Sequence, residues 1–60
     1  MNPQIEWENQ VFDAITEEAG VTRSDAQALV EAELLKDPDV LQRGWRDRLS
    51  PITVALKLLA

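Results

Sequence analysis

Apolar residues recur along this chain at three- and four-residue steps, and no run alternates apolar with polar, so the pattern predicts helices and no strand. Ile5, Phe12, Ile15 and Ala19 fall on one helical stripe with Val11 beside it, which expects Phe12 and Ile15 to be buried. Trp7 lies towards the edge of that stripe, near Val11 and Ala14, where it packs at the rim of a core. A second stripe holds Ala26, Leu29, Val30 and Leu34, widened by Ala28, Ala32 and Leu35. A third holds Val40, Leu41, Trp45 and Leu49, and from it we expect Trp45 to be the central aromatic of the core. The last, Ile52 to Leu59, is apolar nearly all round, interrupted only by Thr53 and Lys57.

Polar punctuation sets the boundaries. Each of the three prolines follows a residue that caps helices well: Asn2-Pro3, Asp37-Pro38 and Ser50-Pro51. Proline suits the first helical position, where its missing N–H goes unused and its fixed φ already fits. Thr22 supplies a fourth cap, with Asp25 three residues on as a short capping-box acid, and Gly20 just before it can take the left-handed conformation that ends a helix. Val21 should tuck between that stop and that start. The expected helices are therefore residues 3–19, 23–36, 38–48 and 51–59. The fold class is all-α: one domain, residues 1–60, a compact bundle of four short helices with an α-turn-α corner at residues 11–30. Gly44 inside the third helix costs about 1 kcal/mol relative to alanine, which points to a close contact or a bend there.

Composition removes more functions than it suggests. A chain of 60 residues without cysteine or histidine lacks disulfides, thiolates, the usual metal ligand and the usual proton shuttle. Adjacent or i+2 carboxylates such as Glu6 with Glu8 and Glu17 with Glu18 point to different sides of a helix and do not converge on a substrate. Asp13 and Glu17 share a face, but no calcium-loop pattern accompanies them. We expect no enzyme, no cofactor and no metal. The start, MNPQIEWE, has neither a basic segment nor an apolar run, and the apolar tail is too short to span a bilayer, so the expectation is a cytoplasmic protein with no membrane partner.

Charge is unevenly spread. Residues 1–22 carry five acids and no base, while residues 37–60 come to +1, within a chain of net −5. Glu17 and Glu18 also sit where the end of the first helix disfavours negative charge. Solvation, or a basic side chain from the third helix such as Arg43 or Arg46, would compensate.

The stretch VFDAITEEAGVTRSDAQALV resembles the helix-turn-helix of bacterial repressors, with Ile15, Ala19, Gly20, Val21, Ala26 and Leu29 at positions that family keeps apolar or turning. The resemblance implies that the second helix would lie in a major groove with Arg23, Ser24, Gln27 and Ala28 as its readers. The wider FDAITEEAGVTRSDAQALVEAE is also similar to the N-terminal helical hairpin of the histone-like HU proteins, dimers that bend DNA. That likeness covers about a third of the chain, and the sheet and basic arms of HU have no counterpart after residue 36. Charge opposes both: the acids Glu17, Glu18, Asp25 and Glu31 would approach phosphates that Arg23 alone cannot offset.

Helix 4 carries the expectation for function. So short an element at the end of a small bundle cannot easily bury every face within its own chain, and the surplus should meet something else: a second copy, a groove on another protein, or the continuation of a longer natural chain. We expect a small acidic protein–protein interaction module that pairs with itself as a homodimer, through Ile52, Leu56 and Leu59, with Trp45 as a further contact. The alternatives are a helix-turn-helix-like DNA-binding protein using Arg23, Ser24 and Gln27, and an acidic inhibitor, of the kind phages and mobile elements encode, acting on a nucleic-acid enzyme.

Overall fold

The computed structural model describes residues 2–60. Helices α1 (Pro3–Ala19), α2 (Arg23–Lys36), α3 (Val40–Arg46) and α4 (Pro51–Leu59) account for all of its regular secondary structure. Three of the four starts are built as their sequences require. The Asn2 side chain accepts from the backbone N–H groups of Gln4 and Ile5, Thr22 accepts from Asp25, and Ser50 accepts from Thr53. Gly20, at φ 67°, ends α1, and its N–H returns to the Thr16 carbonyl at 2.9 Å. Val21 is half-buried in the corner that follows. Asp25 contributes only its N–H; its carboxylate makes no reciprocal cap bond.

The third start differs from the sequence expectation. Pro38 does not open α3. Asp37 instead closes α2, its N–H bound to the Glu33 carbonyl at 2.8 Å, and Pro38 and Asp39 form a turn before the helix begins at Val40. The Asp37 carboxylate accepts from the Asp39 N–H at 3.3 Å, inside that turn, and is shared with the Arg43 guanidinium, Nη1 to Oδ1 at 3.0 Å. With its first residues spent on that turn and its last turn closed early, α3 is seven residues long rather than eleven.

Arg43 holds the Asp37 carboxyl below its ordinary 3.8, chiefly through their side-chain hydrogen bond and then through charge. A depressed folded value means stability that is fully present above the unfolded value and lost as pH falls through the folded one. Acid below about pH 4 should therefore loosen the α2–α3 junction. Both side chains are more than a third exposed, so solvent screens the pair and the effect is small. In Asp37→Asn the decline in melting temperature below pH 4 should be shallower than in the parent, which thermal melts followed by circular dichroism would register.

The core is a single cluster: Trp7, Val11 and Ile15 from α1, Ala26 and Val30 from α2, Leu41 from α3, Val54 and Ala55 from α4. The α1 contribution runs along an i, i+4, i+8 row, because α1 packs most extensively against α4 and then α2. This row turns the expected stripe aside. Ile5 is 56% exposed, Phe12 is only half-buried and Ala19 is exposed. On α2 the exposed Leu29 likewise gives way to Ala26 and Val30, whose smaller side chains let α1 approach. Trp7, expected at the rim, is buried, and its indole N–H donates to the Leu49 carbonyl at 2.9 Å. Trp45, expected at the centre, is half-buried at the edge of that cluster.

Gly44 explains how Trp7 fits. A Cβ there would stand 3.0 Å from Trp7 Cη2 and 3.0 Å from Val54 Cγ2, so the bare helix surface is what lets the indole and α4 close on α3. The close contact expected from a glycine inside a helix is present.

Candidate functional site

Two surfaces carry unspent chemistry. The first is the outer face of α4. Ser50 fixes where that helix starts, which turns Val54 and Ala55 into the core and leaves Leu58 half-buried. The remaining apolar positions follow from helix periodicity: Ile52 and Leu56, at i and i+4, are 49% and 51% exposed, and Leu59, at i+7, sits half-buried at the border of the core. Lys57, also on α4, is exposed and makes no ion pair among the described residues.

The second surface forms where α3 ends. The Leu49 N–H returns to the Gly44 carbonyl at 3.0 Å and the Arg48 N–H to the Trp45 carbonyl at 3.1 Å, the two nested bonds of a Schellman cap. Such a cap needs a left-handed residue, normally glycine. Here the position belongs to Arg48, at φ 58°, which an L side chain occupies at a cost of about 1 kcal/mol. The turn it makes presents the Leu49 carbonyl to Trp7. Trp45 then meets Trp7 edge-on, with ring centres 5.8 Å apart and planes 60° apart. Trp7, Trp45, Leu49, Arg46 and Arg48 together line an open groove of about 610 Å³.

Arg48→Gly should relieve the backbone and raise stability by up to about 1 kcal/mol, since glycine takes this conformation freely, offset in part by its looser unfolded chain. A urea melt of the two proteins tests this; a less stable glycine variant would show that the Arg48 side chain contributes to the fold.

Of the four residues expected to contact a partner, Ile52 and Leu56 are exposed on α4, while Leu59 and Trp45 are half-buried. Trp45 lines the groove, whereas Ile52, Leu56 and Leu59 do not. The groove's other members were only half visible beforehand. Arg46 and Arg48 were recognisable as basic neighbours of Trp45, but their convergence with Trp7 depends on the turn at Arg48, which nothing in the sequence marks.

Arg23, Ser24 and Gln27, the readers that the helix-turn-helix resemblance implies, are all exposed at the start of α2. Arg23, however, is committed within the chain. Its guanidinium pairs with Asp13, donates to Asn9 Oδ1 at 3.0 Å and lies over the Phe12 ring, 5.1 Å from its centre. Glu17 and Glu18 find no basic partner among the described residues, since Arg43 pairs with Asp37 and Arg46 with its neighbour Asp47. Solvation is left to compensate them.

Compared with known proteins, the chain matches no family model, no curated protein and no solved structure. Among the described residues no helix is long and apolar enough to cross a membrane, and no three His, Cys, Asp or Glu side chains gather as a metal site would require.

Proposed function

We propose that this chain works by contact rather than by catalysis, as a small helical module that pairs with a second copy through the outer face of α4. The observation that carries the proposal is the pair Ile52 and Leu56, two large aliphatic side chains one turn apart and each about half exposed. Incomplete folding does not account for them. The accessible surface of 4136 Å² is close to the roughly 4000 Å² typical of a folded chain of this mass, so the interior is already as closed as its size allows. What α4 leaves outside finds no cover among the described residues.

Size limits the strength of such a dimer. A standard stable interface buries about 800 Å² per partner, near a fifth of this surface, and three side chains on a nine-residue helix supply only part of that. The expected dissociation constant is on the order of tens of micromolar or weaker. Sedimentation equilibrium should show average mass rising with protein concentration. Leu56→Asp should abolish the rise while leaving the helical spectrum intact, because the substituted side chain is at the surface. A parent chain that stays monomeric up to about a millimolar ends this reading.

One observation favours a second reading, the acidic inhibitor. Of the carboxylates on α1, only Asp13 is paired with a base among the described residues, so Glu6, Glu8, Glu17 and Glu18 remain available to a basic partner. For DNA binding the balance runs the other way, because Arg23, the one base among the expected readers, is held by Asp13 and Asn9.

A further inference from the structure

We propose that the groove between Trp7 and the end of α3 receives an acidic peptide segment of another protein, with an apolar side chain seated against Trp45 and Leu49 and flanking carboxylates on Arg46 and Arg48. The inference rests on the reading of this chain as an interaction module and not on its pairing through α4.

Charge is the first argument. Arg23, Lys36 and Arg43 each have an ion-pair partner away from the groove. At the groove Arg46 reaches only its chain neighbour, Nε to Asp47 at 3.6 Å, and Arg48 has no ion pair among the described residues. In a chain of net −5, two guanidiniums with so little opposite them form a local site for negative charge.

Backbone strain is the second. Glycine at position 48 would close the same cap without cost, yet an arginine is held there at φ 58°. Strain at one residue, on the rim of a groove its side chain helps to line, is the signature of a group retained for what it contacts.

The lining chooses among anions. It consists of two indoles, a leucine and two guanidiniums, with no hydroxyl or amide side chain. The one indole N–H in the buried wall, that of Trp7, is already given to the Leu49 carbonyl. The polar side-chain groups of the lining are all N–H donors, with no acceptor for the hydroxyls of a sugar or the amino edge of a base, and a nucleic acid strand would bring its further phosphates against the acids of α1. An apolar side chain between carboxylates asks only for apolar contact and positive charge, which is what the groove supplies. Its volume, within the range of pockets that hold small ligands, takes one such side chain with its adjoining backbone.

Both tryptophans of the chain line the groove, so their fluorescence reports on it directly. The test titrates the full chain with a capped peptide carrying a leucine–phenylalanine pair between glutamates, and with the same peptide carrying glutamines. The glutamate peptide should shift the emission saturably and bind about tenfold or more tightly than the glutamine peptide, a preference that shrinks as salt is raised. Arg46→Gln with Arg48→Gln should erase the preference, and because both side chains are exposed the helical spectrum serves as the check that the variant is folded. Equal binding of the two peptides, or no saturation by either up to about a millimolar, overturns the proposal. So does an emission that depends on protein concentration alone, which would put a second copy in the groove, or adenosine monophosphate saturating it at lower concentration than the peptide. None of these outcomes bears on sedimentation of the Leu56→Asp variant, so the two readings stand or fall separately.

Discussion

Trp7→Ala is expected to leave most of the chain unfolded at room temperature. Removing a buried indole costs about 3–5 kcal/mol, and a single core in a chain this short supplies little more than that in total. The loss has two parts. The ring fills the space that Gly44 leaves open, touching α3 while Val54 of α4 closes on the same glycine, and its N–H occupies the Leu49 carbonyl at the turn between those helices. Trp7→Phe separates the parts, since it keeps an aromatic body and gives up the hydrogen bond, for a cost of about 1–2 kcal/mol with some lost packing. Trp45→Ala should cost less than Trp7→Ala, because Trp45 is only half-buried. Urea melts of the three variants give the order directly. A Trp7→Ala protein that melts within a few degrees of its parent would show that this side chain does not bind the helices together.

That ordering reverses what the sequence suggests, and the reason is geometric. A wide apolar arc on a helix contains more than one row of contacts, and periodicity alone does not say which row faces a neighbour. On α1 the choice lay between Ile5, Phe12, Ile15 and Ala19 on one side and Trp7, Val11 and Ile15 on the other; only the placement of α4 decides it. Capping was more legible, because a cap is a local matter. Asn2, Thr22 and Ser50 all bond where their positions imply, and α1, α2 and α4 have the expected limits. Asp37 differs: its carboxylate still accepts from the Asp39 N–H, but it is shared with the Arg43 guanidinium, its own N–H closes α2, and Pro38 and Asp39 stay in a turn, so the helix begins only at Val40.

The two candidate surfaces divide along the same line. The surplus on α4 is readable because composition determines it: six apolar residues in a nine-residue helix cannot all face inward. The groove is not readable, because it depends on one backbone angle. Arginine in the left-handed region at position 48 brings α3's basic end against Trp7, and a rule that expects glycine there sees the end of a helix but not the residue that makes it.

Gly44 offers the sharpest test of the packing, because two effects oppose each other there. Alanine in a helix interior gains about 1 kcal/mol over glycine, and if the site were open Gly44→Ala would stabilise the chain. The site is closed on both sides. The added methyl group would stand 3.0 Å from Trp7 Cη2, on a rigid ring pinned by its hydrogen bond, and 3.0 Å from Val54 Cγ2, on a β-branched side chain that is 2% exposed and has little rotamer freedom. Neither neighbour is the loose end of a flexible chain, so the contact is relieved only by moving α3 away from α1 and α4. Overpacking of this kind costs about 1–3 kcal/mol, which exceeds the propensity gain, and Gly44→Ala should be less stable by about 1 kcal/mol net. Leucine at the same position would have to displace the indole altogether, and we expect Gly44→Leu to be largely unfolded. Melts of the two variants read the sign: a Gly44→Ala protein more stable than its parent would mean that α3 does not press against Trp7, and the groove built on that contact would go with it.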